Sequence, residues 1–451
     1  MTTIHQRRPA TTRRFAVGLA LLLLAVPLLV TTGPPAPRAQ GVDVFLNVTG
    51  GGTKKLNIAI PEFTLMGGAD RAGAAQSIPS VAGADLTFSG LFQVVTATGA
   101  VPPNNPEALR KLWSDFAAAG AHAGLHGLLT VRGDRLDVEA RLYDLTSPDQ
   151  RPIASQKFEM PAAQARRLAH RIADEVVLQF TGQRGIADTK LAFTRAAGSA
   201  KEIYMADYDG AGAGPVTRNK SLNLSPVWSP DARSLAFTSF YRGYPDLYRI
   251  FPFERRPEQI LAAFAGINTS PAWSPDGQHV GLTLSKDGNP EIYVLNVGTG
   301  EFRRLTRHPA IDTEPTWSPD GRQLAFVSDR LGNPRIFAMD LNGGNVRQLS
   351  NGGGVHTQPR WSPRGDALAY TAREGGFQIW LVNADGSNAR RLTEVGDNQS
   401  ATWSPDGRHI AFQTNRLGGW QIFAMFPDGS EQTPRIRGGA DTSPSWSPRL
   451  P

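Results

Sequence analysis

Apolar and polar positions follow two different rhythms along this chain, and the change falls near Thr189. Before it, short apolar runs alternate with stretches whose apolar residues recur every three or four positions. "KLNIAIPEF" (55–63) and "LFQVVT" (91–96) predict buried strands, while "AQSIPSVAGADLTFSG" (75–90) and "PEALRKLWSDFAAAG" (106–120) predict helices that stop at glycine. The second helix carries proline in its first turn, where no intrahelical N–H is needed. "HGLLTVRGDRLDVEARLYDL" (126–145) alternates on both sides of Gly133-Asp134, the pattern of a two-residue hairpin. "PAAQARRLAHRIADEVVLQFTG" (161–182) predicts a closing helix with Leu168, Ile172, Val176 and Phe180 on one face and Gly182 beyond its end. Residues 54–185 therefore read as an α/β domain.

After Thr189 the pattern repeats. Trp-Ser-Pro occurs at Trp228, Trp273, Trp317, Trp361, Trp403 and Trp446, at intervals of 45, 44, 44, 42 and 43 residues. Each unit runs through the same order of "PTWSP", a turn, a strand such as "QLAFVS", a loop, "RIFAMDLNG" and "VRQLS". That period fits one four-stranded propeller blade of roughly 40–50 residues. The "LAFT"-like strands begin at Leu191, Leu235, Val280, Leu324, Leu368 and Ile410, one step out of phase with the tryptophans. The first has no Trp-Ser-Pro before it and the last Trp-Ser-Pro has no such strand after it. The expected architecture for 186–451 is a six-bladed all-β propeller closed by the final Trp-Ser-Pro strand, since an open ring would leave unpaired edges.

Composition changes this picture in two places. The net charge of +7 includes five arginines among residues 1–39. That stretch, with a basic start, an apolar run from Phe15 to Val30 and small residues ending near Ala39, reads as a secretory signal cleaved near Ala39 or Gln40, the alternative being an uncleaved membrane anchor, since the run is only just short of the roughly 17–25 residues a spanning helix needs. About +2 remains on the mature chain, so the basic balance does not point to nucleic acid. The chain has no cysteine, so an exported protein of this sequence relies on its core rather than on disulfides.

Enzyme signatures are missing: there is no nucleophile elbow, zinc-protease helix, phosphate loop or calcium loop. His122 and His126 have the spacing of paired metal ligands, but Gly124 and Gly127 weaken a helix there, and no metal is expected. Arg132-Gly133-Asp134 reads as a hairpin turn. The repeated carboxylates Asp231, Asp276, Asp320 and Asp406 read as turn residues, because Arg364 and Arg449 hold the same position in the other two copies. His279 and His409 read as solvated turn residues. More informative are the segments before each tryptophan, "NLSPVW", "NTSPAW", "DTEPTW", "HTQPRW", "NQSATW" and "DTSPSW". Six copies should ring one mouth of the channel, as turn geometry, as a hydrogen-bonding surface for a partner, or as both.

Export signal, α/β domain and six-fold Trp-Ser-Pro propeller, in that order, resemble the TolB family of the Tol-Pal envelope system. "VDVFLNVTGGGTKKLNIAIPEF", "IPSVAGADLTFSGLFQVV" and the 127–145 hairpin are similar to its amino-terminal domain. The resemblance implies a non-enzymatic periplasmic scaffold without cofactor, supporting outer-membrane integrity and envelope constriction at cell division. Its implied partners are the peptidoglycan-associated lipoprotein Pal, bound at the propeller mouth, and the inner-membrane protein TolA, engaged by the segment after the signal. Carried onto this sequence, the Pal surface comprises Asn268, Thr269, Ser270, Asp312, Thr313, Glu314, His356, Thr357, Gln358, Asn398, Gln399, Asp441 and Thr442. The TolA segment comprises Val42, Asp43, Val44, Phe45 and Leu46, within a flexible stretch (40–53) whose "TGGGT" permits movement. Two rival readings are the propeller of a prolyl oligopeptidase-like hydrolase, whose catalytic domain finds no place before Pro451, and a stand-alone sugar- or metal-binding propeller.

Overall fold

The computed structural model describes residues 55–95 and 105–451; the expected signal peptide, the 40–53 segment and its TolA contact lie outside the described residues. In the first domain β1 (Leu56–Ala59) pairs in parallel with β3 (Phe92–Val95) and with the start of β4 (Ala123–Arg132). β2 (Thr64–Gly67) continues along β4 beyond β1. β5 (Arg135–Asp144) and β6 (Pro152–Pro161) extend the sheet by antiparallel pairing, and Arg132 faces Arg135 across Gly133-Asp134 as the two-residue turn requires. Helices α1 (Ala74–Phe88) and α3 (Ala165–Thr181) share a core on one face, and α2 (Pro106–Ala118) buries Trp113 and Phe116 on the other.

Local exceptions have local causes. Pro79 inside α1 leaves the Ala75 carbonyl without its helical donor, and Phe63 N–H occupies it at 2.9 Å. Gly124 and Gly127, expected to weaken a helix, instead lie in β4 where a Cβ would meet the rings of Trp113 and Phe63 at 2.7 and 2.2 Å. β2 and β6 are strands that the sequence pattern did not suggest.

The propeller has six four-stranded sheets, and the order within the closing one answers the phase shift of the repeats. Asp441–Trp446 is its innermost strand and pairs antiparallel with Lys190–Ala197, which pairs with Ala200–Asp207. Each face packs on the next blade; Trp273 lies in one cluster with Ala236 and Leu247 of the preceding sheet. The repeated aspartates are turn residues as expected: the Asp276 carboxylate accepts from Ser274 Oγ and Gln278 N, and Asp320 and Asp406 repeat the pattern.

The α/β domain sits on the Trp-Ser-Pro side of the ring, against the fifth and closing blades. The Phe88 ring, at the end of α1, stacks 4.1 Å from His409, and Arg435 lies over it at 4.0 Å. His409 is therefore not a solvated turn residue: it is 1% exposed and its Nε2–H donates to the Phe88 carbonyl at 2.9 Å. Burial holds it neutral, with a pKa lowered to about 4. Beside it, buried Asp85 accepts from Tyr208 Oη and from His170 Nδ1, both at 2.7 Å. Asp207 lies 3.8 Å from His170 Nε2 and is also held by Lys190 and Arg166.

Two measurements probe these contacts. Arg195 holds the buried Asp441 carboxylate with two bonds, at 2.6 and 3.1 Å. Arg195→Ala leaves that carboxylate without a countercharge and should cost about 3–5 kcal/mol in urea unfolding, whereas an exposed arginine change should cost almost nothing. Burial opposes charge on His170, but Asp207 and Asp85 outweigh it and raise its pKa from 6.5 to about 9. Its contribution is thus fully present below pH 6.5 and lost as pH rises through about 9, roughly 3 kcal/mol in all. Asp174, raised by burial to about 7, gives an earlier loss, so the His170 contribution is read between pH 7.5 and 9, above it. His170→Gln should flatten that part of the profile.

Candidate functional site

Asn223, Asn268, Asp312, Asn398 and Asp441 open their inner strands and His356 is the second residue of the strand Val355–Trp361; these six residues are no more than 1% exposed. Each ties its strand to neighbouring structure. Asp312 is gripped by Arg330 Nη2 at 3.0 and 3.1 Å, and Asn398 Oδ1 accepts from Arg416 at 2.9 Å. Asn268 Nδ2 donates to the carbonyls of Pro245 and Phe264, and His356 Nδ1 meets Ser350 Oγ at 2.9 Å. Burial lowers the His356 pKa to about 4. Asn268, Asp312, His356, Asn398 and Asp441 therefore turn inward, contrary to their expected place on a partner surface. The remaining predicted residues, Thr269, Ser270, Thr313, Glu314, Thr357, Gln358, Gln399 and Thr442, are half-buried at the mouth and along the channel.

The third residue of each segment explains the shape of that channel. Ser225, Ser270, Glu314, Gln358, Ser400 and Ser443 all have φ between +51° and +56°, and in each strand the register slips at this point. The bulge re-aims the side chains, and all six line a central cavity of about 50 Å³. Four of their N–H groups are taken up by the preceding blade: Glu314 N donates to Thr283 Oγ1 at 3.2 Å, Gln358 N to Glu314 Oε2 at 2.6 Å, Ser400 N to Gln358 Oε1 at 2.9 Å and Ser443 N to Gln413 Oε1 at 2.7 Å. Burial raises the Glu314 pKa against the pull of that bond and of Arg360, and burial lowers that of Arg360.

Around this mouth stands an apolar rim that the segment reading missed. Leu222, Ile267 and Ile311 directly precede their inner strands and are 38%, 39% and 47% exposed. Leu331 and Leu417, in the loops after the second strands, are 66% and 62% exposed, and Tyr241 and Tyr244 occupy the same loop of another blade. Backbone bonds set these loops beside the rim, as Ser285 N donates to the Ile267 carbonyl and Asp329 N to that of Ile311. The signal available was an apolar residue immediately before Asn or Asp, three times at repeat spacing.

No metal-ligating pair forms at His122 and His126: His122 Nδ1 accepts from Asn57 N at 3.3 Å, and His126 Nε2 meets Thr64 Oγ1 at 2.9 Å. Among the described residues, His170, Asp207 and Asp209 stand close enough to share an ion. Lys190 and Arg166 already neutralise those carboxylates, which makes the group part of the domain junction. No helix among the described residues is long and apolar enough to cross a membrane.

Comparison with known proteins agrees with this architecture. The family model for the TolB β-propeller domain matches residues 177–450, and that for the TolB amino-terminal domain matches 44–151. The Tol-Pal system protein TolB of Geobacter sulfurreducens is 40% identical over 223 residues, 49% of each chain. That of Nitrosomonas europaea is 33% identical over 247 residues, 54% of this chain and 55% of the relative. The matched stretch thus spans about half the length of these curated relatives. The crystal structure of TolB from Acinetobacter baumannii superposes with a TM-score of 0.76 at 26% identity, covering 88% of this chain and 97% of that one.

The left-handed backbone at the bulges has a measurable cost. Ser270, at φ +56°, makes no side-chain hydrogen bond among the described residues. Ser270→Gly should raise stability by up to about 1 kcal/mol in urea unfolding, the steric cost of this region for a side chain less the entropy glycine loses on folding.

Proposed function

This chain belongs to the TolB family, and on that premise we propose that it works in the periplasm as a non-enzymatic scaffold of the Tol-Pal system. In this reading the mouth lined by the Asn/Asp/His segments receives a Pal-like lipoprotein. The segment Val42–Leu46 engages a TolA-like inner-membrane protein, and together the two contacts support outer-membrane integrity and envelope constriction.

One observation carries the first half. The mouth presents Leu222, Ile267, Ile311, Leu331 and Leu417 around half-buried polar groups, on the face turned away from the α/β domain. Exposed apolar side chains gathered at one place, with polar groups between them, are the usual dress of a protein-binding surface. Thr313, Thr357, Gln399 and Thr442 supply the hydrogen-bonding groups; the buried residues beneath them fix the backbone that presents them.

The double variant Ile311→Asp/Leu331→Asp should weaken binding of a Pal-like domain by at least about tenfold, or 1.4 kcal/mol, with the melting temperature unchanged, because both side chains are exposed in the free protein. Calorimetric titration showing wild-type affinity would remove the mouth from the Pal site. Deleting Val42–Leu46 should abolish capture of a TolA-like domain, and retention of that capture would remove the segment from its assigned role.

A further inference from the structure

The inner strands end at a second opening, on the Trp-Ser-Pro side of the channel. A cavity of about 410 Å³ lies there, walled by repeat residues that include Trp317, Trp361, Trp403 and Pro405. That volume falls within the usual range of small-molecule sites. The lining includes one charged side chain, Arg360, and no residue of the α/β domain. Arg360 also lines the narrow cavity nearer the opposite mouth, so it stands where the two spaces meet.

The fold itself gives no reason for an arginine at this position. The residue before tryptophan is Val227, Ala272, Thr316, Thr402 or Ser445 in the other repeats. Where it carries a hydroxyl, that oxygen accepts from the backbone N–H of the next blade's tryptophan: Thr316 from Trp361, Thr402 from Trp446 and Ser445 from Trp228, at 3.5, 3.2 and 3.3 Å. A guanidinium has no acceptor and cannot join that relay. Among the described residues the Arg360 side chain makes one hydrogen bond, from Nη1 to the Pro359 carbonyl at 3.1 Å, and no ion pair. Glu314, the carboxylate acting on it, already accepts from Gln358 N. Most of the guanidinium's donors are thus unused, in a place where charge is poorly solvated.

We propose that this cup binds a small organic monocarboxylate, with its two oxygens on the Arg360 guanidinium and its apolar body against the prolines and tryptophans. A planar fork of N–H donors matches a carboxylate in bidentate geometry. Arg360 is the one cation in a lining mainly of prolines, tryptophans and hydroxyl residues, so it balances one negative charge and leaves the second charge of a dianion uncompensated.

The test is titration of the full chain with benzoate and with benzamide, its neutral counterpart, followed by tryptophan fluorescence and by melting temperature. Benzoate should give a saturable signal and a raised melting temperature, and benzamide neither. Arg360→Thr should fold, since threonine rejoins the hydroxyl relay, yet lose benzoate affinity by at least about tenfold. Three results would overturn the proposal: no saturable response to benzoate, an equal response to benzamide or inorganic phosphate, or unchanged benzoate affinity in Arg360→Thr. The comparison of benzoate with benzamide needs no variant and decides the question even if Arg360→Thr does not fold.

Discussion

A β-sheet with a free edge invites any passing strand, and a ring of separate sheets is stable only if its two ends are joined. Here the join is made by one short strand, Asp441–Trp446, laid against Lys190–Ala197 from the other end of the propeller. Its first residue is a carboxylate buried completely and held by Arg195, whose guanidinium also lies over Phe193 and Tyr204. Two other blades use the same device, with Arg330 over Phe326 and Phe337 gripping Asp312, and Arg416 over Phe412 and Phe423 gripping Asn398. Closure is therefore an ordinary blade contact made between distant parts of the chain, and it needs no structure of its own. A buried carboxylate with a well-placed arginine adds little net stability over an apolar pair, but it tolerates no substitute partner, so it also sets the register of the strand.

The same inner strands divide the propeller into two unlike faces. Where they begin, the bulged third residues point polar groups into the channel and leave an apolar rim outside. Where they end, tryptophans, prolines and serines frame a wider opening, and the α/β domain rests beside it on the fifth and closing blades. Six-fold repetition explains the walls of the channel but not its charges. Glu314 stands where the other repeats carry serine or glutamine and Arg360 where they carry valine, alanine, threonine or serine, and both sit where burial works against their charge.

Much of this was legible in the residues. Trp-Ser-Pro at near-constant spacing marks one strand per blade, and the offset between tryptophans and "LAFT" strands is enough to expect the closing pair. Helix ends at Gly90, Gly120 and Gly182 were readable because glycine alone adopts left-handed backbone without steric cost. Several misreadings share one cause, which is that a residue's surroundings are set by distant chain. His409 looks like His279 in its repeat, yet a helix some three hundred residues earlier covers only the former. Asn268 and Asp312 look like surface turn residues, but the preceding blade's loop closes over them. Glu314 and Gln358 at positive φ carry no local mark at all, since proline after each would suggest extended backbone. β6, half exposed along its length, lacks the alternation that betrays a strand buried on one face.

The contrast between blade contacts and the domain junction bears on how two partners could influence one another. Contacts between blades are apolar and continuous around the ring, an arrangement that resists graded deformation. The junction between the α/β domain and the propeller combines the Phe88 stack with a compact set of charges, namely Asp85, His170, Asp207, Lys190 and Arg166. Parting the two domains would take Asp85 from Tyr208 and a protonated His170 from Asp207, and the free energy of that step depends on pH in a way that blade packing does not. A ligand changes an arrangement only by binding two states with different affinity. Among the described residues the junction, whose polar contacts can be exchanged for water, offers more readily traded contacts than the apolar packing between blades.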